Sequence, residues 1–113
     1  MENQLEFFNE VVKCTTELQR ELPSVMAAKN AFGNEVYKDG ALSLKVKRLI
    51  ALGIALRAGC PPCILAQTKF AAEAGATKTE IVEAVSVAAA MGGTTSSSHA
   101  WRVLKVLKEL GKW

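Results

Sequence analysis

Apolar side chains in the first segment fall at Phe7, Val11, Cys14, Leu18 and Leu22, at steps of four, three, four and four. That spacing is one stripe along a helix, flanked by Phe8 and Val12 and stopped by Pro23. A second helix is expected from about Pro23 to Tyr37, with Val25, Ala28, Phe32 and Val36 on its inner face and Gly33 as a weak point. Asp39-Gly40 makes a turn, and Ser43 is placed to cap a third helix. There Lys45, Lys47 and Arg48 give way to an unbroken apolar run from Leu49 to Leu56. A helix apolar all round should have protein on every side, which in so small a chain points to a subunit interface.

Gly59 can stop the third helix in a left-handed conformation, and a fourth opens just beyond it with Ile64, Leu65, Thr68, Ala71 and Ala72, ending at Gly75. Thr77-Lys78-Thr79-Glu80 is a capping box, in which Thr77 and Glu80 each satisfy the other's free backbone N–H. It starts a fifth helix through Ile81, Val82, Val85, Ala88, Ala89 and Met91 to Gly92-Gly93. Thr94 to Ser98 read as a polar loop that caps a last helix with Ala100, Val103, Leu104, Leu107 and Leu110 inside. No segment alternates as a strand would, and no repeat or low-complexity tract is present. The expectation is one all-α domain of six helices over residues 1–113.

Composition agrees with that picture. A chain of 113 residues, half of them hydrophobic, can bury one core without disulfide staples. The polar, acidic start does not read as a signal peptide, and Arg57 with two prolines interrupts the most apolar stretch, so no membrane span is expected and the cytoplasm is the default location. The net charge is +3, with five acidic and two basic residues among the first 21. Near the other end Arg102, Lys105, Lys108 and Lys112 oppose only Glu109. Four basic residues on one helix read as its solvated face and make no nucleic-acid motif.

Three cysteines in a chain of this kind argue for redox, metal or catalytic use rather than for a disulfide framework. Two of them form Gly59-Cys60-Pro61-Pro62-Cys63. With Cys60 as N-cap and Pro61 at the first helical position, both sulfurs sit at a helix start. The free N–H groups and the helix dipole there favour thiolate, and Arg57 one turn earlier can add to the effect. A C-x-x-C serves thioredoxin-like sites and zinc sites alike. The former need strands around the motif. The latter would need Cys14 and His99 as further ligands, and neither comes in a paired spacing, so no metal is expected. Cys14 reads as a small buried hydrophobe on its stripe. What remains favoured is a working dithiol.

Leu42-Ser43-Leu44-Lys45-Val46-Lys47-Arg48-Leu49-Ile50-Ala51-Leu52, then Cys60-Pro61-Pro62-Cys63, then the stretch from Ala74 to Ala84 and Met91-Gly92-Gly93 resemble the carboxymuconolactone decarboxylase and alkylhydroperoxidase D-like family. The resemblance runs from about residue 25 to 110. It implies an all-helical fold assembling as homotrimers or homohexamers. The paired cysteines place the chain nearer the hydroperoxidase branch, with a peroxide or disulfide as substrate, a lipoyl- or thioredoxin-like dithiol protein as reductant, a role in oxidative-stress defence and no cofactor. The resemblance makes Cys63 the attacking thiolate and Cys60 its resolving partner, whereas thioredoxin-like motifs activate the first cysteine, so the order of roles stays open. The family's relay carries a Glu twelve residues before the first cysteine and a His four after the second. Here those positions hold Arg48 and Gln67, and neither is a general base at neutral pH. Gln67 can orient a water or peroxide oxygen, and Arg48 can stabilise a thiolate if it points inward. His99, the only histidine, is the candidate replacement base if the fold brings it to the dithiol; the alternative is a surface or capping role. The rival functions are disulfide exchange without peroxide turnover, a decarboxylase or isomerase acting on a cyclic carboxylate that Arg48 binds, and a non-catalytic redox sensor.

Overall fold

The computed structural model describes residues 3–113, and every regular element among them is helical. Seven helices follow in order: α1 (Gln4–Gln19), α2 (Pro23–Val36), α3 (Leu44–Ala58), α4 (Pro61–Glu73), α5 (Lys78–Gly92), α6 (Thr94–Ser97) and α7 (Trp101–Glu109). Six of these are the helices expected. The addition is α6, a single turn formed where the sequence reads as a loop, and it leaves His99 in the turn before α7 rather than on that helix.

Local chemistry sets most of the boundaries. Ser43 accepts from the Val46 N–H at the start of α3, and Asp39 Oδ1 accepts from the Leu44 N–H. Gly59 ends α3 at φ +65°, with its own N–H bonded to Leu56 O and the Cys60 N–H to Ala55 O, the paired bonds of a Schellman stop. Thr77 and Glu80 make the reciprocal capping box of α5. By contrast α7 starts at Ala100 with no side-chain cap, so the Ser-rich segment does not cap it as expected.

Helix α4 is the hub. Ile64, Ala71 and Ala72 face a core shared with Leu52 and Leu56 of α3, Ile81 and Ala88 of α5, and Val103 and Leu107 of α7. Leu65 faces the other way, into a second cluster with Phe8 of α1 and Val106 of α7. Buried on two sides, α4 holds its N-terminus, and therefore both cysteines, against a rigid frame. Helix α1 is docked at its start, where the Glu109 carboxylate accepts from the Gln4 and Leu5 N–H groups at 2.9 and 2.8 Å.

Two expectations about burial fail. Only the first turns of α1 pack inward, so Cys14 is exposed beside Glu10 and Leu18 is 73% exposed. Helix α2 buries no residue at all, and Phe32 on its expected inner face is also 73% exposed. Among the described residues nothing covers the later part of the α1 stripe or the apolar side of α2. Its C-terminal end is held instead by Lys47, whose Nζ donates to Val36 O and Lys38 O at 2.8 and 2.6 Å. The apolar α3 is covered on one side only. Its outer side, with Ile50 and Ile54, and the Val87 and Met91 side of α5 bound an open groove of about 800 Å³. No helix of the described residues is long and apolar enough to cross a membrane.

Candidate functional site

Cys60 and Cys63 are joined as a disulfide across the first turn of α4, with their Cα atoms 5.2 Å apart. Cys60 is the N-cap residue and Pro61 and Pro62 occupy the first two helical positions. An N-cap side chain accepts from the second or third helical N–H. The second is Pro62, which has none, so the Cys63 N–H is the only capping donor left. In the disulfide Cys60 makes no cap hydrogen bond. On reduction its sulfur is free to accept from Cys63 N–H at the positive end of α4, which favours thiolate. Cys63 is exposed and Cys60 half-buried, so the second cysteine is the residue of the pair more open to solvent.

Arg57, the cation expected near the sulfurs, runs beside Gly92 of α5. A methyl group on Gly92 would lie 2.7 Å from its Cδ and would strike the Ser96 hydroxyl. That hydroxyl is buried and has no hydrogen-bond partner among the described residues.

His99 lies against the residue that precedes the cysteine turn. Its Nε2 is 3.2 Å from where a Gly59 Cβ would stand, so the half-buried imidazole rests on the backbone immediately before Cys60. The fold thus brings His99 against Gly59, the residue before Cys60 and forty positions earlier in the chain.

The two positions that depart from the relay pattern are also in contact. Arg48 NH1 donates to Gln67 Oε1 at 3.2 Å. The guanidinium lies over the Tyr37 ring at 3.6 Å and the Phe70 ring at 4.7 Å from their centroids. Cys63, Gln67 and Phe70 follow one another at steps of four and three along one face of α4. That spacing was available in the sequence and would have found Phe70; Tyr37 has no such signal, because its place depends on how the end of α2 meets α3. Cys14, the third cysteine, stands apart on α1. Among the described residues no three His, Cys, Asp or Glu side chains gather as a metal set, so the zinc arrangement weighed for Cys14 and His99 is not formed.

Residues 23–106 match the sequence profile of the Carboxymuconolactone decarboxylase family. Among curated proteins, the chain is 39% identical over 94 residues to uncharacterized protein 4 in the cox locus of Paracoccus denitrificans, covering 83% of this chain and 85% of that one. A second, an uncharacterized protein of Cupriavidus necator, is 32% identical over 82 residues, 73% of each chain. Among solved structures, a carboxymuconolactone decarboxylase family protein from Legionella pneumophila superposes with a TM-score of 0.91 at 28% identity, over 99% of this chain and 100% of that one. Another family member, from Thermotoga maritima and described as "possibly involved in antioxidative response", gives 0.81 at 27% identity over 92% and 89%.

Proposed function

The chain belongs to the carboxymuconolactone decarboxylase family, and on that premise we propose that it is a thiol-dependent oxidoreductase working through the Cys60–Cys63 pair. The observation that carries this reading is the disulfide itself, set at a helix N-terminus with one of its cysteines exposed. A pair that only packed the core would have no reason to lie there.

In the reduced protein the exposed Cys63 thiolate attacks a peroxide oxygen. The O–O bond breaks, the sulfur becomes a sulfenic acid, and the alkoxide or hydroxide leaving group takes up a proton. The Cys60 sulfur, held as thiolate by the α4 N-terminus, then attacks the sulfenic sulfur; the disulfide forms as the S–O bond breaks, and the hydroxide released takes up a proton to become water. A dithiol protein of the lipoyl or thioredoxin kind donates two electrons and two protons, becomes a disulfide itself and restores both thiols. Neither half of the cycle needs a metal or organic cofactor, and a reducing cytoplasm suits it. His99, beside Gly59, is the group placed to pass a proton at the Cys60 side. The description of the Thermotoga maritima relative fits an antioxidant role.

The bond between Arg48 and Gln67 favours a second reading, exchange of disulfides with a partner protein without peroxide turnover, because neither side chain is a general base. A thiol count by mass spectrometry after one equivalent of peroxide, repeated with Cys60→Ser and Cys63→Ser, separates the two. Fast loss of two thiols to the Cys60–Cys63 disulfide, with a sulfenic acid trapped on Cys63 in Cys60→Ser, supports the peroxidase. Oxidation no faster than that of free cysteine, together with fast reaction with a protein disulfide, selects exchange.

The uncovered apolar surface bears on assembly. Ile54 is 65% and Met91 85% exposed on the α3–α5 groove, and α2 shows its apolar stripe to solvent. Open patches of this kind mark interaction sites, and the reading here is a homo-oligomer, a trimer or hexamer.

A further inference from the structure

We infer that Arg48 and Gln67 form a carboxylate-binding subsite one helical turn from Cys63, so that the preferred small-molecule substrates carry a carboxylate close to the bond the sulfur attacks. This rests on the dithiol reading above and names its substrate class. The guanidinium is half-buried, yet it has no carboxylate partner among the described residues. A guanidinium so placed keeps N–H donors for an anion. Here its central carbon lies over the rings of Tyr37 and Phe70, and one N–H is used on Gln67.

The polarity of that bond decides the ligand chemistry. Arg48 has no acceptor, so the Gln67 oxygen must face it, and the Gln67 NH2 is left with its donors to spare. The donors left over on the guanidinium and the Gln67 NH2 outnumber the one lone pair left on the Gln67 oxygen. Their complement is a planar anion rich in acceptors, which describes a carboxylate. Gln67 is four residues after Cys63, and side chains on a helix lean toward its N-terminus, so the pair overlies the turn that carries Cys63. Side chains so spaced have Cβ atoms roughly 5–6 Å apart. A carboxylate seated there leaves a reactive atom two to four bonds away within reach of the sulfur.

Two halogenated reagents of nearly equal size test this without requiring peroxide activity. Iodoacetate carries a carboxylate beside its reactive carbon, and iodoacetamide is its neutral counterpart; with either, a thiolate displaces iodide and forms a C–S bond. Alkylation of Cys63 is followed by peptide mass spectrometry on fully reduced protein, with the exposed Cys14 as an internal reference. The ratio of iodoacetate to iodoacetamide rates at Cys63 should exceed that at Cys14 by about tenfold, the worth of one charge-assisted hydrogen bond. Arg48→Gln should bring it to the Cys14 ratio while the iodoacetamide rate changes little, and Arg48→Lys should restore part of it. Equal ratios at the two cysteines, or a preference that survives Arg48→Gln, overturns the proposal. So does a parallel fall in both rates in Arg48→Gln, which would assign Arg48 to the thiolate. The same comparison with a hydroperoxy carboxylate and its methyl ester extends the test to turnover. If neither peroxide oxidises the wild-type pair but the reagent preference stands, the peroxidase reading fails and the subsite does not.

Discussion

Replacing Gly59 with alanine puts a methyl group at the junction of α3, the dithiol and His99, and its cost can be built up from two sources. The backbone sits at φ +65°, ψ +38°, where a side chain on an L-residue costs about 1–2 kcal/mol. The methyl would also meet His99 Nε2 at 3.2 Å and Cδ2 at 3.6 Å, with Thr95 Cγ2 at 3.9 Å. Relieving a contact that tight by shifting a half-buried ring costs about 1–3 kcal/mol more. Gly75→Ala is the control, because Gly75 also has positive φ, at +92°, but nothing lies within 4 Å of its added Cβ. Urea unfolding of both variants in the oxidised state should place Gly59→Ala below Gly75→Ala by about 1–3 kcal/mol, the contact share alone. In a His99→Ala background the excess should largely vanish, since the atoms that the methyl meets first are gone. Equal losses for the two glycines, or an excess untouched by removing His99, would refute the placement of the imidazole against the cysteine turn and, with it, the proton role given to His99. A positive result has a functional counterpart, because a displaced imidazole should slow oxidation of the pair across neutral pH in Gly59→Ala and His99→Ala alike.

Four further outcomes follow from the same geometry. Native oxidised protein should titrate one thiol with Ellman's reagent, and Cys14→Ser should abolish that signal while changing stability by no more than about 0.5 kcal/mol, as expected for an exposed side chain. Thr77→Ala should lower the unfolding free energy by about 1 kcal/mol through loss of the α5 cap, read from the urea midpoint. The Lys45 ammonium at 2.8 Å, and next the Thr77 backbone N–H, hold the Glu80 carboxyl below its ordinary value of 4.5. Its contribution is therefore complete above that value and lost as pH falls through the lower folded one, so Lys45→Met should flatten part of the acid limb of the stability profile. Finally, Ile54→Asp should shift the sedimentation profile toward smaller species without loss of helix signal; an unchanged profile would remove the α3–α5 groove from the proposed subunit interface.

What the sequence made legible was whatever depends on neighbours within about four residues. The Ser43 cap, the Gly59 stop, the Cys60 N-cap with Pro61 behind it and the Thr77–Glu80 box all formed where their local chemistry placed them. The turn α6 was missed for a related reason: Thr94 to Ser98 have weak helix preference, and the turn is held by bonds to Gly93 and Thr94 carbonyls that composition does not show. The candidate site divides in the same way. The two sulfurs could be set on one helix turn from their spacing, but the contacts between His99 and Gly59 and between Arg48 and Gln67 join different elements, and only the packed fold supplies them.

The failures on α1 and α2 have a different cause. A period of three to four residues says that a helix has an apolar side; it does not say that the covering surface lies in the same chain. Cys14, Leu18, Val25 and Phe32 follow the period faithfully and are exposed, whereas Phe8, beside the α1 stripe, is the residue that enters the core. The apolar run of α3 carries the same information more openly, because its sides are too many for one small domain to cover. On the proposed assembly these stripes are positions where the sequence specifies neighbouring subunits rather than the fold of one. The electrostatics divide along the same line: Lys47 and Arg48 tie the end of α2 to α3 through Val36, Lys38 and Tyr37, so α2 keeps a fixed seat while its apolar side stays open. A helix held only at its end is a poor element for one chain's core and a serviceable one for a contact between chains.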